Sequence, residues 1–429
     1  KNFKPWQPSS YKSAGQTWFN HDHFMKLDSV MTGHRNHVMK LQFDLNDLLW
    51  QKFEGKNLTP VPQSLKDEYL LQTARYTPAL LLDYLKGKKL SPEKESTNYY
   101  ALYKTTYNKI PVSVYVRKSD SLVYQITWLQ DHELYGDVLT TVNYDQFQQA
   151  AGVQYPAKIA IHKYNGHVTD EVTITQASAS GTPAALLTKP TTYSYLPEPH
   201  IKSDIQVEKY ADHIYFVNLK HMDDKAMIVE FSNYLLIADV PPHAAAEVIA
   251  EAKKIAPSKP ISYFAFGHHH EHYIGGLRDM IHAGAKVICN HENREYVQTI
   301  AQAPHTLNPD ALQKEPHTAV LDTMTDKPKI IGDGSMEMRI LMLGSKSQHT
   351  LDYMVYYFPA QKLLVENDLT WIPREGNPGK ANVREAGLYN AIKEWKLDVK
   401  DIIQNTPSNS RIAKSILTME DLEKAMHAK

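Results

Sequence analysis

The stretch Phe266-Gly267-His268-His269-His270-Glu271-His272-Tyr273-Ile274-Gly275-Gly276-Leu277-Arg278 holds four of the chain's 21 histidines within five positions. The apolar run Ile261 to Phe266 leads into it, and a glycine pair leaves it just before a helix-like segment. The pattern reads as strand, tight loop and helix start. Alternate side chains of an extended loop converge, so His268, His270 and His272 are expected to face one ion. Imidazole nitrogen suits zinc and other borderline divalent metals. The bland alternative is an exposed histidine-rich turn that binds metal adventitiously. A loop fixed between a buried strand and a Gly-Gly turn argues against it.

Two further stretches carry residues of the same chemistry. In Gln348-His349-Thr350-Leu351-Asp352-Tyr353-Met354-Val355-Tyr356-Tyr357 one histidine stands in a loop directly before a strand. In Lys362-Leu363-Leu364-Val365-Glu366-Asn367-Asp368-Leu369 an apolar strand ends in a carboxylate. Taken alone, His349 reads equally as a loop cap and Asp368 as a turn or helix cap. Three histidines and an open position at zinc form the geometry used for hydrolysis.

The elements that must hold these residues follow from the hydrophobic pattern. Ile214 to Leu219, Ala226 to Phe231 and Tyr234 to Asp239 read as a three-strand meander, and His243 to Ile255 as an amphipathic helix. Leu277 to Ala283 and Glu292 to Ala303 read as helices, with Ala285 to Cys289 a strand between them. Residues 304 to 328 are polar with little period and read as a long connection or flap, with His305 and His317 at its surface. Lys329 to Ile331 and Met336 to Leu343 restart the strands, and Thr418 to Ala428 is the last helix.

Upstream, Trp18 to Thr32 and Phe43 to Phe53 are short helical candidates, and Ser64 to Lys86 has helical periodicity with a restart at Thr77-Pro78. His21, His23, His34 and His37 show no ligand pattern. From Tyr100 to about Thr175 the period becomes two, giving an antiparallel sheet of successive hairpins. Gly181 to His200 contains four prolines among Ser, Thr and Ala, which is linker chemistry. The expected division is an N-terminal α+β accessory domain over 1–198 and a second domain over 203–429. Residues 1 to 196 contain no catalytic constellation, so a substrate-shaping or interaction role is expected for them.

At these residues the chain resembles the metallo-β-lactamase superfamily, whose usual motif is Thr-His-x-His-x-Asp-His-x-Gly-Gly. The gapless register places His268 and His270 on the first two family ligands and Gly275-Gly276 on the glycine pair. The stretch from His349 is similar to the family element His-Thr-x-Asp-x-Met-Val-x-Tyr, whose histidine completes the first metal site. Asp368 matches the aspartate between the two metal positions, with Asn367 replacing the family glycine. The resemblance covers about residues 203 to 429 and implies an αββα sandwich. The stretch from Gly136 to Pro156 is similar to the sheet domain preceding the catalytic domain in some exported members.

Three departures matter. His272 stands where the family has its aspartate, Tyr273 where it has the next histidine, and the stretch Asp401 to Ser410 contains no histidine, His427 lying too late and inside the last helix. The implied site therefore holds one zinc ion rather than two. His268, His270 and His349 are its ligands, with Asp368 as ligand or as a group orienting one. His272 is either a fourth ligand or a catalytic base, and Tyr273 is placed to bond a substrate. In the usual member a metal-bound hydroxide attacks its substrate, here expected to be an ester, lactone or amide. A catalytically degenerate member used for metal or ligand binding is the alternative, and an iron oxidoreductase on the same scaffold a third reading.

Composition bounds the rest. The chain has 429 residues, 42% hydrophobic and 22% charged, which describes an ordinary soluble globular protein of two domains. A net charge of -1 gives no electrostatic case for nucleic acid. No apolar run approaches the ~20 residues needed to span a bilayer. The expected partner is a small-molecule substrate, and the oligomeric state is left open. The single cysteine, Cys289, sits in an apolar run and is expected to be a buried thiol. The opening Lys1-Asn2-Phe3 lacks a signal core and reads as a processed chain, so a periplasmic or secreted location is expected.

Overall fold

The computed structural model describes residues 75–179 (apart from 86, 87, 89, 108 and 151), 203–405 and 413–428 (apart from 415). It also describes Trp6, Leu71 and the strands Ser13–Asn20, Met25–Thr32, His37–Asp44, Leu48–Phe53 and Asn57–Pro60. The expected linker 181–200, most of the helical stretch 64–74, and His21, His23 and His34 lie outside the described residues. Two compact units emerge, one of residues 8–130 and 138–200, the other of 1–7, 131–137 and 201–429.

In the first unit the five early strands form an antiparallel meander, which corrects the helices expected over Trp18 to Thr32 and Phe43 to Phe53. In Lys26-Leu27-Asp28-Ser29-Val30-Met31 the apolar residues do not alternate, so this strand is set by its pairing and not by a period in its sequence. The helix Pro78–Leu85 keeps the restart expected at Thr77-Pro78. A second sheet of six strands, from Tyr100–Tyr107 to Val168–Thr173, is paired strictly in sequence order. Val114, Ile126, Val142, Ile159 and Ile161 of its inner face pack with Leu81 and Leu85 of the helix.

The second unit is built on two sheets. Seven strands run in order Ile205–Ala211, Ile214–Leu219, Asp224–Glu230, Leu235–Ala238, Ile261–Ala265, Lys286–Asn290 and Leu321–Met324. The first four pair antiparallel and the last three join in parallel, as helical crossovers require. The other sheet orders Lys329–Gly332, Glu337–Met342, Met354–Phe358, Leu363–Glu366, Asp401–Gln404 and Ile416–Thr418.

The buried residues sort by face. Phe216, Met227, Val229, Leu236 and Ala265 of the first sheet meet Met338, Ile340, Tyr356, Leu363 and Val365 of the second. Their strand neighbours Val217, Ala226, Ile228 and Ile237 point the other way, onto the helices Ala245–Ile255, Leu277–His282 and Arg294–Gln302. Leu341, Val355, Leu364 and Ile402 likewise face the helices Val383–Glu394 and Met419–His427. Both faces of each sheet are thus covered, in the order helix, sheet, sheet, helix, and these strands are apolar on both sides. This is the αββα sandwich implied by the resemblance.

Two expectations for residues 304 to 328 need correction. Leu321–Met324 is a strand added in parallel to Lys286–Asn290, and Ala311–Lys314 is a short helix. His305 is buried at 3% exposure rather than at the surface. The start of this connection is pinned within its own unit: Asp137 accepts hydrogen bonds from the Thr306 and Leu307 N–H groups, each at 3.0 Å. Gln313 accepts the His305 N–H at 2.9 Å. Cys289 is a buried free thiol, and burial raises its pKa to about 12.

Candidate metal centre

The strand Ile261–Ala265 lies between two parallel neighbours, so its carboxyl end opens onto the rim of the sandwich. It delivers Gly267 to a place with no room for a side chain: a Cβ there would lie 1.7 Å from Asn367 Oδ1. The Gly267 N–H donates to Asp239 Oδ1 at 2.7 Å, and its carbonyl accepts the Met354 N–H at 2.6 Å. The loop is therefore tied to both sheets just before its histidines. Beyond them a single turn, Glu271–Ile274, leads to Gly275, where a Cβ would meet Pro242 N at 2.3 Å.

His268, His270, His349 and Asp368 come together, with one donor atom from each lying within 4.8 Å of all the others. The His268, His270 and His349 ring centroids are 4.5, 4.8 and 4.9 Å apart. His349 follows a short 3-10 turn, Gly344–Ser347, and its N–H donates to Ser347 Oγ at 3.1 Å. Asp368 follows the strand Leu363–Glu366. The Asn367 and Asp368 N–H groups both donate to the Tyr353 hydroxyl at 3.0 Å, and the Tyr353 ring stacks on His268 at 4.6 Å.

The donor set fits a divalent metal on its own terms. His268 Nδ1 lies 3.2 Å from Asn367 Oδ1, an acceptor, which places the proton on Nδ1 and leaves Nε2 as a bare lone pair. His268 Nε2 is buried without a hydrogen-bond partner, an arrangement that costs free energy unless something is coordinated there, and His349 Nε2 faces the Asp368 carboxylate at 3.1 Å. Burial lowers the His268 pKa to about 3. Burial and the neighbouring His269 and His349 lower that of His270 to about 4, so both rings are uncharged at neutral pH, each with one bare nitrogen. Burial alone would raise the Asp368 carboxyl, but His268, His349 and Arg384 around it hold it well below the usual carboxylate range.

The remaining expected residues stand apart from this group. His272 is outside it: its Nδ1 donates to Asp224 Oδ2 at 2.9 Å, and that bond raises its pKa. Its side chain is 60% exposed, and its partner Asp224 is buried at the start of a strand of the first sheet. Tyr273 is buried and lays its ring against His268 at 4.6 Å. His269, between two grouped histidines, turns the other way: its N–H and Nδ1 both donate to Asp352 at 2.9 Å, and Asn293 donates to the same carboxylate at 2.6 Å. Burial works against that charge, but His269 and Asn293 draw the Asp352 pKa down to about 2.

Four residues that sequence reasoning had not singled out support the centre. Asp239 ends an apolar strand, a signal present in the sequence. Asn405 occupies the region where the family has its last histidine, and its amide donates to Asp239 Oδ2 at 2.6 Å. Asp224 and Arg384 carried no local signal. Their partners lie 48 and 16 positions away.

The chain matches no protein-family model and no curated protein sequence. It is similar to solved structures over about half its length. A metallo-β-lactamase from Pontibacter korlensis is 14% identical, with a TM-score of 0.38, covering 52% of this chain and 97% of that one. A metallo-β-lactamase from Pseudomonas aeruginosa in its mono-zinc form is 15% identical, with a TM-score of 0.38, covering 53% and 95%. The flavodiiron protein from Giardia intestinalis is 14% identical, with a TM-score of 0.37, covering 52% of this chain and 58% of that one.

Proposed function

We propose that the chain is a metal-dependent hydrolase of metallo-β-lactamase type, with one zinc ion, acting on an ester, lactone or amide. The observation that carries this reading is the convergence of His268, His270, His349 and Asp368, with the buried His268 Nε2 left unpaired. A divalent ion held by the three imidazoles, with Asp368 beside them, would supply Lewis acidity and activate a water at neutral pH. Three imidazoles and one carboxylate suit zinc, and the Nε2 atoms of His268 and His349 would be the ones that bind.

The chain's own residues supply the rest. Asn367 fixes the tautomer of His268, and Tyr353 holds the backbone that carries Asp368. Asp352 takes His269 away from the centre and sets the loop register. His272, oriented by Asp224 and largely exposed, is assigned as the group that accepts the proton of the attacking water. It would serve as a base and not as a further ligand, which leaves the ion a position for substrate. Asn405, Asn367 and Tyr273 offer amides and a phenol where a second ion would need imidazole or carboxylate, which favours one ion over two.

The test is elemental analysis of protein purified without a histidine tag, beside a His270→Ala variant. About one zinc ion per chain in the parent, lost in the variant, is expected, with ester or lactone hydrolysis falling in step. A parent with no stoichiometric metal overturns the reading and leaves a fold used for binding alone.

A further inference from the structure

Two side chains beside the metal centre are held firmly and left partly uncovered. Trp371 is anchored at both ends: its backbone N–H donates to Glu385 Oε1 at 2.8 Å, and its indole N–H donates to the Asp368 carbonyl at 3.0 Å. Leu369 and Ile372 on either side are buried, yet Trp371 is 44% exposed. An indole fixed this way presents its face to solvent because the fold holds it there.

Arg384 sits in the first turn of the helix Val383–Glu394, and its Nη1 reaches the Asp368 carbonyl at 3.2 Å and Oδ2 at 3.4 Å. Those are its hydrogen bonds among the described residues, so Nε and Nη2 are unengaged, and the side chain is 31% exposed. Arg278 shows what a structural arginine looks like in the same unit. Its Nε and Nη2 pair with Asp310, its Nη1 donates to three carbonyls, and it is 5% exposed.

Charge gives the rest of the argument. Ligand imidazoles are neutral, so Asp368 is the one anion of the donor set. With a divalent ion bound, that single carboxylate is shared between the ion and Arg384, and the centre keeps a surplus of positive charge. Of the other acids around it, Glu385 is occupied by the N–H groups of Trp371 and Asn382, and Asp352 by His269 and Asn293.

Building on the metallohydrolase reading, we propose that Arg384 and Trp371 are substrate-binding residues for an anionic group on an apolar body. The guanidinium pairs with a carboxylate, phosphate or sulfate, and the indole face covers the adjoining aryl or alkyl portion. The free Nε and Nη2 form the side-on fork that oxyanions accept in two parallel hydrogen bonds.

The experiment is calorimetric titration of the zinc-loaded full chain with phenylphosphonate and, separately, with neutral benzyl alcohol, metal content being measured on every sample. Phenylphosphonate should bind the parent much more tightly than benzyl alcohol. Arg384→Gln should weaken phenylphosphonate about tenfold or more at unchanged zinc content, and Trp371→Ala several-fold. Arg384→Lys, which keeps the charge but not the fork, should fall between parent and Arg384→Gln. Equal phenylphosphonate affinity in parent and Arg384→Gln overturns the proposal, as does benzyl alcohol binding as tightly as the anion. Loss of zinc in Arg384→Gln also overturns it, making Arg384 a residue that positions Asp368. If the parent itself holds no stoichiometric zinc, the metallohydrolase reading fails first and takes this proposal with it.

Discussion

Removing one oxygen from Tyr353 should do more damage than its size suggests. The Tyr353 hydroxyl is fully buried, accepts the Asn367 and Asp368 N–H groups at 3.0 Å, and stands 3.2 Å from both Glu366 Oε2 and Asp368 Oδ1. In Tyr353→Phe the ring still stacks on His268, so no cavity larger than the lost oxygen forms. Two backbone donors are left without an acceptor in a place water does not reach. Each orphaned donor costs ~1–3 kcal/mol, so about 2–6 kcal/mol of unfolding free energy should be lost. Tyr357→Phe is the matched control, because its hydroxyl makes a single bond, to the Asp398 carbonyl at 3.1 Å, and should cost about 1 kcal/mol. The assay is urea unfolding of metal-free protein, where metal binding adds nothing to stability, with the slopes compared to confirm that the exposed surface is unchanged. A Tyr353→Phe loss no larger than that of Tyr357→Phe would refute the reasoning, since the backbone donors would then have found other partners.

Two further perturbations test the scaffold. Gly267→Ala puts a methyl group 1.7 Å from Asn367 Oδ1 and must displace that amide, which orients His268. Zinc affinity measured by chelator competition should fall about 10-fold or more, as loss of an outer partner does elsewhere; unchanged affinity would show that Asn367 is dispensable. Lys225 is buried, donates to the Gln404 carbonyl at 3.2 Å, and burial lowers its pKa to about 8. With the folded pKa below the unfolded one, the penalty for burying the charge is fully present below pH ~8 and is relieved as pH rises toward ~10.5. Stability should therefore climb across that window by about 3 kcal/mol. Lys225→Met should remove the climb and stabilise the neutral-pH protein, and a pH slope that survives the substitution would exclude Lys225 as its source.

The sandwich was legible because its strands are apolar enough to stand out singly and its loops end in Gly, His or Asp. The grouped residues were legible for a related reason: His268 and His270 alternate on one extended loop, while His349 and Asp368 flank strands read directly from their apolar runs. What escaped was set by partners distant in sequence. His272 lies outside the group of His268, His270, His349 and Asp368, with its Nδ1 held by Asp224 from 48 positions away. Arg384 looks like any helix residue until the fold brings it to Asp368. Leu321–Met324 is too short and too mixed to show a period, and it exists through its parallel pairing with Lys286–Asn290. The early strands misled in the same way, because the scattered apolar residues of Met25–Thr32 do not alternate and the strand is set by its pairing.

The cap that Asp137 places on Thr306 and Leu307 bears on how the chain is made. The two sides of that contact are 169 and 170 positions apart in sequence. At a translation rate of ~5–20 residues per second, residues 131–137 wait roughly 10–30 seconds after leaving the ribosome before their partners emerge. The site-bearing unit cannot close until synthesis is nearly finished, and its parallel strands are themselves slow to pair. An unfinished chain arrested before residue 304 would expose the uncapped, apolar half of a sandwich, which is the form a chaperone or protease would meet.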